Sequence, residues 1–287
     1  MKYANLSLPR LAISAGLLMA SVCTLPVRAE TIDCTAITSL PYVIATQGVY
    51  CFTGNMSTSM TAGNAITINT NNVVIDLNGY KLGGQAAGSG TETNGIYAGQ
   101  RKNITLRNGT IRGFYRGVFL DDTNPYTTSQ GHVVTGILAD QSTFIGINLL
   151  GRGMTLRRNT VVDTGGSTVW PNASGIAVSG PGNNVLDNQV STTMSVDNGF
   201  AWGILLENAD YSMLMNNRVS EIVAPGSGNS NGISINNSND VTARDNTITF
   251  ADYGLRYQHS TGKYMENLTN NISITAFTGG TAIGINN

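Results

Sequence analysis

The sequence predicts an all-β fold in which short strands stack as successive coils of a parallel β-helix. Three observations support this prediction. Related segments repeat along the chain and place Asn159, Asn188, Asn217 and Asn246 at a constant spacing of 29 residues. Turn-forming residues are abundant, with 34 glycines among 287 residues. No stretch shows the sustained apolar rhythm of an amphipathic helix, so a helical fold is excluded.

A second motif marks one strand of every repeat. It joins a glycine to an alternating apolar stretch, and it occurs at Gly95, Gly117, Gly146, Gly175, Gly203, Gly232, Gly254 and, as AIGIN, at Ala282. A repeat contains three short alternating stretches separated by turn residues, for example 175–179, 184–187 and 189–192. Three strands in fewer than thirty residues leave no room for a helical crossover, so repeats can pair only as stacked parallel strands. The sequence predicts about eight three-stranded coils over residues 64–287.

Stacking explains the regular asparagines. Residues at the same place in successive coils lie above one another at the strand spacing of about 4.8 Å. An inward-facing asparagine can donate its side-chain amide to the asparagine of the next coil, whereas stacked aspartates would repel one another. We therefore expect a structural asparagine ladder without a catalytic role, with Asn78, Asn108 and Asn270 as further rungs.

The first 29 residues have the layout of a secretory signal peptide. Lys2 and Arg10 precede an apolar run over residues 11–22, and small residues lead to a predicted cleavage site after Ala29. The apolar run is too short to span a bilayer. The sequence therefore predicts a secreted or periplasmic protein that does not bind a membrane.

Cleavage would leave 13 basic and 17 acidic groups, which excludes the strongly basic surface of a nucleic-acid-binding protein. Cys34 and Cys51 remain as an even pair in an exported chain, which predicts a disulfide. Residues 30–63 do not follow the repeat, so we expect an N-terminal cap that this disulfide ties down and that covers the open end of the coils. No metal site is predicted, because neither histidine lies near the cysteines in sequence.

The repeats and the asparagine bend resemble the pectin-lyase-like superfamily of right-handed parallel β-helices. The stretch SLPYVIATQGVYCFTGNM from Ser39, followed by NVVIDLNGYKLGG from Asn72, also resembles the opening of many exported bacterial members. The resemblance covers about residues 64–287. It implies that the asparagine bend lies between the second and third strands of a coil, and that a polysaccharide binds along the first strand and the loop before it. The oligomeric state stays open.

Strand alternation assigns two outward-facing columns to these first strands. One column contains Tyr97, Phe119, Asn148, Ala177, Leu205, Ser234 and Arg256, and the other contains Gly99, Asp121, Leu150, Ser179, Glu207, Asn236 and Gln258. A glycoside hydrolase needs two carboxyl groups within about 5–9.5 Å of each other. Asp121 and Glu207 are three coils apart, roughly 14 Å by strand spacing, and the adjacent Asp121 and Asp122 should face opposite sides. Hydrolysis is therefore disfavoured.

A polysaccharide lyase needs a base near C5 of a uronic acid and a group that neutralises its carboxylate. In the enzymes that the chain resembles, the base is often Arg or Lys and the neutralising cation is calcium, so calcium is the one cofactor that the resemblance implies. Arg256 is the only cation on the two columns. We predict Arg256, Glu207, Asp252 and His259 as candidate catalytic residues, with an ordinary surface ion pair as the alternative.

Four aromatic residues, Trp170, Phe200, Trp202 and Tyr253, fall in the loops before first strands. Exposed at this edge they would form a stacking platform for sugar rings, and the alternative is that they pack the loops against the coils. Two functions stay open. One is a secreted carbohydrate-active β-helix, with a lyase acting on uronate-containing polysaccharide as the favoured enzyme class. The other is a non-catalytic adhesive or scaffolding surface protein.

Overall fold

The computed structural model describes residues 33–287, and apart from one short 3-10 turn over Gln85–Ala87 its regular structure is entirely β-strand. Strands of successive coils pair in parallel along the whole of this region. The predicted parallel β-helix is confirmed. The predicted signal peptide lies outside the described residues, and within them no helix is long and apolar enough to cross a membrane.

Three parallel sheets run along the β-helix, and the strands are numbered in chain order. The first-strand sheet contains β2 (Tyr42–Ile44), β5 (Asn64–Ile68), β8 (Asn94–Gly99), β10 (Arg116–Asp121), β12 (Ile145–Leu150), β15 (Ala173–Ser179), β18 (Ala201–Glu207), β21 (Ser230–Asn236) and the C-terminal parts of β23 (Thr247–Gln258) and β25 (Leu268–Thr278).

The other two sheets complete each coil. The second-strand sheet contains β1 (Thr35–Ile37), β3 (Gly48–Phe52), β6 (Val73–Asp76), the N-terminal parts of β9 (Ile104–Arg112) and β11 (Val133–Asp140), β13 (Thr155–Arg157), β16 (Asn184–Leu186), β19 (Met213–Met215), β22 (Val241–Arg244), β24 (Gly262–Met265) and β26 (Thr281–Ala282). The third-strand sheet contains β4 (Met56–Ser57), β7 (Lys81–Gly83), the C-terminal parts of β9 and β11, β14 (Thr160–Gly165), β17 (Gln189–Met194), β20 (Arg218–Val223) and the N-terminal parts of β23 and β25.

The first-strand sheet has ten strands within residues 33–287, more than the eight coils counted from the marker motif. Strands β2, β5 and β25 carry no marker glycine, and the marker at Ala282 belongs to β26, which pairs with β24 in the second-strand sheet. Stacking also begins before residue 64, because β2, β3 and β4 pair in register with β5, β6 and β7. Residues 42–57, predicted as part of a cap, therefore form a coil.

Within residues 33–41, ahead of this first coil, lies β1, which pairs with β3. The predicted disulfide is confirmed: Cys34 is bonded to Cys51, with the two Cα atoms 5.8 Å apart. Because Cys51 belongs to β3, the disulfide fastens the start of the described chain to the first coil. The N-terminal strand is thus held both by backbone pairing and by a covalent bond.

Aliphatic side chains fill the inside of the coils in continuous columns, as predicted by the alternation. One such column, fully buried, contains Ile96, Val118, Ile147, Ile176, Ile204 and Ile233. The marker glycine beside each of these residues also lies against the inside of the coil. A Cβ on Gly175 would lie 2.3 Å from Cγ1 of Val190 and 2.8 Å from the carbonyl oxygen of Gly203. The marker position must be glycine for this reason, and the strand bends there.

The predicted asparagine ladder is confirmed, and it continues beyond Asn246 to Asn267 and Asn286. Each side-chain oxygen accepts the backbone N–H and the side-chain amide of the preceding rung at 2.9–3.2 Å. The consecutive rungs are Asn159, Asn188, Asn217, Asn246, Asn267 and Asn286. Each of the first five follows a residue in the left-handed conformation, such as Asp187 with φ 57°.

Three predicted rungs are wrong. Asn78 and Asn108 occupy the left-handed position itself, with φ of 49° and 59°, one residue before the rung. The rung position in that part of the chain falls on Gly109 and then on Ile137, which pair with each other in register. Asn270 is an exposed residue of β25. Asparagine also tolerates left-handed φ well, so the residue type alone did not distinguish the two neighbouring positions.

Candidate functional site

The outer surface of the first-strand sheet carries the two predicted columns, from Tyr97 to Arg256 and from Gly99 to Gln258, in the predicted register. A third column stands just before the marker glycines. It contains Asn94, Arg116, Ile145, Ser174, Trp202, Asn231 and Tyr253. Because the strands bend at the glycines, residues of this third column contact residues of the predicted columns on the same surface. We call the three columns together the first-strand face.

One group of side chains on this face surrounds Arg116. The guanidinium carbon lies 4.5 Å from the ring centre of Phe119, 5.0 Å from that of Tyr115 and 5.2 Å from that of Phe144. Tyr115 and Phe144 stack on each other with their ring centres 4.8 Å apart. The planar, weakly hydrated guanidinium is suited to contact with aromatic faces. We call these four residues, with Tyr97 and Asp121, the Arg116 cluster.

The charge of Arg116 lacks a close partner. Arg116 forms none of the ion pairs found among residues 33–287, and its buried Nε donates no hydrogen bond there. Burial lowers the pKa of Arg116 from its ordinary value, against the smaller effects of Tyr115 and Asp121. A charge withdrawn from water is costly unless it is paired. The site is therefore suited to an anionic ligand.

Tyr97 and Asp121 form the polar side of the same cluster. The Tyr97 hydroxyl donates to Oδ2 of Asp121 at 3.4 Å, and the Tyr97 ring lies 5.5 Å from that of Phe119. Burial raises the pKa of Asp121. The pKa of Tyr97 is also raised, mainly by burial and to a smaller extent by the charge of the neighbouring Asp121. Gly99 leaves room for this hydroxyl, because a Cβ there would lie 2.6 Å from it. A phenol and a carboxylic acid thus stand beside a cation, an arrangement able to move a proton.

The neighbouring Asp122 faces away from Asp121, as the alternation predicted. Its carboxylate is buried and accepts the backbone N–H groups of Thr128 and Ser129 at 3.0 and 2.8 Å. His132 beside it is also buried; its Nδ1 accepts the N–H of Ile104, so Nε2 carries the proton and donates to Ser129 Oγ at 2.7 Å. Burial lowers the pKa of His132 to about 4. These groups organise the loop that follows β10 and are closed to a substrate.

Arg256 lies at the other end of the first-strand face. Its guanidinium carbon is 4.2 Å from the ring centre of Tyr253, and its Nη1 donates to Oδ1 of Asn231 at 3.3 Å. Like Arg116, it forms no ion pair with the acidic residues of the described region. The face therefore carries two arginines on aromatic rings, five coils apart.

The other predicted catalytic residues lie in separate environments. Glu207 is exposed and lies two coils below Gln258, so its carboxylate is about 10 Å from the coil of Arg256 by strand spacing. Asp252 accepts the N–H of Ser230 at 2.9 Å and the hydroxyl of Ser273 at 2.7 Å. Burial alone would raise the pKa of Asp252, but these hydrogen bonds outweigh burial and lower it.

His259, the fourth of these residues, has left-handed φ of 48° in the turn after β23 and is exposed. The backbone N–H of Asn237, at the same turn in the preceding coil, is bonded to the carbonyl of Gln258. The position of His259 is therefore explained by a turn that repeats from coil to coil. The described region therefore brings together Arg256, Tyr253 and Asn231, but not the four predicted catalytic side chains.

The four aromatic residues predicted to form a platform lie in different environments. Phe200 and Trp202 stack with ring centres 5.7 Å apart, and Phe200 is 44% exposed. Trp170 is 50% exposed and borders a cleft of about 150 Å³ with Val196 and Asp197 of the next coil. Tyr253 instead supports Arg256. Trp170 and Phe200 thus offer exposed ring surface next to the first-strand face, whereas Trp202 and Tyr253 are half-buried.

Arg116, Tyr115 and Phe144 were missed by the sequence reasoning. The alternation counted from Val118 places Arg116 on the inside of the coil, whereas the bend at Gly117 brings it outside. The stretch GFYRGVFLDD over residues 113–122 is the signal that could have found it. In a chain with only 11% charged residues, it combines three aromatic and three charged side chains within ten positions.

Comparison with known proteins agrees with this architecture. Residues 141–279, just under half of the chain, match the family described as Periplasmic copper-binding protein (NosD). Full-length tailspike protein 2 (TSP2, ORF211) from Escherichia coli O157:H7 bacteriophage CAB120 is similar over 88% of this chain and 38% of its own, with 14% identity and a TM-score of 0.61. The chain has the fold of a right-handed parallel β-helix.

Two further tailspike structures are similar to this β-helix. The Dettilon tailspike protein (gp208) is 14% identical, with 87% of this chain and 54% of that chain covered and a TM-score of 0.53. The enzymatically active domain of tailspike protein 2 from bacteriophage CBA120 is 13% identical, with 83% and 41% covered and a TM-score of 0.55. The chain thus spans about half the length of these proteins, or less. The search of the curated proteins gave no match.

Among the described residues, Cys34, Cys51 and His132 are not available to hold the copper that the matched family's description names. Protein copper sites use histidine, cysteine and methionine ligands. Cys34 and Cys51 are joined in a disulfide, and both ring nitrogens of His132 are engaged inside the protein. Across the described region, no three His, Cys, Asp or Glu side chains come together as a metal site would require.

Proposed function

We propose that this protein is an exported, carbohydrate-active β-helix that binds a uronate-containing polysaccharide along the first-strand face. The observation that carries the proposal is the pair Arg116 and Arg256, each on an aromatic ring and neither in an ion pair within the described region. Arginine meets a carboxylate with two parallel hydrogen bonds. Aromatic rings beside it supply the stacking surface that sugar rings use.

The spacing of the two arginines suits a polymer rather than a single sugar. Five coils separate them, which is about 24 Å at the strand spacing. Trp202 stands in the third column between them, and Phe200 stacks beside it. The direction in which the coils stack is the direction that a polysaccharide chain would follow. A polymer with a carboxylate on many of its sugars could engage both arginines at once.

The finer proposal is elimination at the Arg116 cluster. Asp121 would take the proton from C5 of the uronate while Arg116 neutralises its carboxylate. The bond from C4 to the glycosidic oxygen then breaks, a C4–C5 double bond forms, and Tyr97 would donate its proton to the leaving oxygen. Burial favours this division of roles, because it keeps the Tyr97 phenol protonated and raises the proton affinity of Asp121. No second carboxylate is needed, in contrast to hydrolysis.

The second candidate function is binding without catalysis, as in an adhesive or scaffolding protein. It is favoured because the charged groups around Arg256 are far apart. The two carboxylate oxygens of Asp252 accept hydrogen bonds from Ser230 and Ser273 and do not contact Arg256. Both candidates use the same face and the same ligand class. They differ only in whether Tyr97 and Asp121 transfer protons.

The test is binding and turnover on a panel of polyuronates and neutral polysaccharides, with ultraviolet absorbance reporting the unsaturated product. Arg116→Gln is expected to weaken polyuronate binding by roughly 10- to 100-fold, the value of a hydrogen bond to a charged group. Arg107→Gln is the matched control, because Arg107 is paired with Asp76 on the second-strand sheet. Tyr97→Phe should abolish product formation while it leaves binding intact.

The outcomes separate the candidates. Equal polyuronate binding by the wild type and Arg116→Gln would refute the proposed face. Binding that depends on Arg116 without any product would leave the non-catalytic function. Arg256→Gln should weaken the binding of long chains but not of short oligomers, because only a long chain can span both arginines.

A further inference from the structure

A shallow cleft of about 440 Å³ lies on the turn between first and second strands, around the edge from the first-strand face. Its two ends are formed by Asn103 and Tyr211, and Arg152 and Pro181 lie between them. None of these residues belongs to the site described above. We call this surface the Tyr211 cleft.

The floor of the cleft is bare backbone. Gly131, Gly153 and Gly182 hold the same turn position in three successive coils, with left-handed φ of 67°, 60° and 68°. A Cβ on Gly153 or Gly182 would have nothing within 4 Å. Asn103 and Tyr211 occupy the same position in the flanking coils, with φ of 56° and 57°. The glycines therefore open a depression between two side-chain walls.

Tyr211 is unusual in two respects. It is 70% exposed, so its ring is not part of the core, and a bulky residue is uncommon in the left-handed conformation. Its ring lines the cleft instead of packing on the coil. An exposed aromatic ring beside an open depression presents a flat stacking surface. The neighbouring Asp210 is directed elsewhere, since it accepts the backbone N–H of Asn239.

The cleft also holds an oriented cation. Nε and Nη2 of Arg152 donate to the side-chain oxygen of Gln130 at 3.1 and 3.0 Å, which fixes the guanidinium and leaves its other N–H groups available. Lys102 stands in the same column, two coils away. Neither cation takes part in an ion pair with any acidic group of residues 33–287. Both cations are therefore free of ion pairs within that region.

We propose that the Tyr211 cleft is a second binding site for a carboxylate-bearing sugar. The sugar ring stacks on Tyr211 over the glycine floor, and its carboxylate accepts hydrogen bonds from Arg152. The ligand class rests on the proposed function, whereas the site itself lies on a different edge of the β-helix. A second site of this kind holds the polymer against the protein while the first-strand face engages another part of it.

The experiment uses the whole mature protein and a galacturonate trimer as the probe, measured by isothermal titration. The double variant Arg116→Gln, Arg256→Gln serves as a background that removes the first-strand face. In this background the trimer should still bind. Adding Tyr211→Ala, Arg152→Gln or Gly182→Asn should then weaken binding at least tenfold.

Gly182→Asn is the most specific of these changes. Asparagine already occupies this turn position at Asn103, so Gly182→Asn should fold normally while it fills the floor. Phe250→Ala is the control for Tyr211→Ala. Phe250 is also 54% exposed with left-handed φ of 57°, but it lies on the third-strand sheet. Thermal unfolding confirms that each variant is folded.

Each result has one meaning. Loss of all binding in the background variant, with normal binding by the wild type, would overturn the cleft and leave the proposed function intact. Wild-type affinity in the background, lost on adding the cleft variants, would overturn the first-strand face and support the cleft. Equal affinity for a neutral maltose-type trimer would overturn the assignment of a carboxylate ligand. Absence of trimer binding to the wild type would overturn both sites.

Discussion

Replacement of Asn188 by leucine should destabilise the β-helix severely, although the two side chains are similar in size. Oδ1 of Asn188 accepts the backbone N–H and the side-chain amide of Asn159 at 3.1 and 3.0 Å, and its Nδ2 donates to the Leu156 carbonyl at 3.1 Å. Leucine would remove all three hydrogen bonds and leave one hydrogen-bonding position unused on each of the three buried groups, although the Asn159 side-chain amide would keep its other bond, to the Val134 carbonyl. At about 1–3 kcal/mol for each group, the free energy of unfolding should fall by roughly 3–9 kcal/mol.

Urea unfolding followed by circular dichroism measures this loss. The matched control is Asn216→Gly, at the exposed left-handed position just before the next rung, with φ of 54°. Glycine adopts that conformation without strain, so the control should change the unfolding free energy by less than about 1 kcal/mol. A wild-type midpoint for Asn188→Leu, or an equal loss for Asn216→Gly, would refute the view that the ladder is a major source of stability.

Two further predictions concern stability. Burial lowers the pKa of His132 to about 4 from 6.5, so its contribution is fully present above pH 6.5 and is lost as the pH falls toward 4, by about 3 kcal/mol in total. Urea unfolding at pH 7 and pH 4.5 should show this decrease in the free energy of unfolding. If His132→Gln shows an equal decrease, groups other than His132 cause it. Removal of the disulfide by the double change Cys34→Ala, Cys51→Ala should cost about 3 kcal/mol, given its separation of 17 residues. Hydrogen exchange should locate that loss in β1 to β3, and faster exchange confined to the C-terminal coils would contradict it.

The fold was predictable because the repeat carries redundant information. The 29-residue spacing of four asparagines, the marker glycines and the alternation all indicate the same stacked coils, and the register of the first-strand columns agrees from Tyr97 to Arg256. The first coils were harder to predict. Strands β2 and β5 lack the marker glycine, so the start of stacking at Tyr42 left no periodic signal.

The candidate site was only partly predictable, because alternation fails where a strand bends. The alternation breaks at the bend of Gly117, because a Cβ there would lie 2.6 Å from the carbonyl oxygen of Gly146 inside the coil and the next residue, Val118, is buried as well. That bend moves Arg116 from the predicted inside to the outer face. Nearness in sequence was equally misleading for Asp252, whose carboxylate is bonded to serines of the neighbouring coils instead of to Arg256. Side-chain partners across coils depend on geometry that the repeat does not encode.

The asparagine ladder gives the β-helix a direction. Every rung supplies its oxygen to the coil before it and needs the oxygen of the coil after it, from Ile137 N–H on Asn159 through to Asn267 on Asn286. A fragment that stops after Asn188 would leave both its backbone N–H and one N–H of its side-chain amide without the Asn217 oxygen, whereas one that starts at Asn188 would leave only one amide N–H, which donates to the Leu156 carbonyl, without its acceptor. Orphaned buried N–H groups are tolerated less well than under-used carbonyl oxygens. During synthesis from the N-terminus, each new coil therefore supplies the acceptors that the coil before it needs.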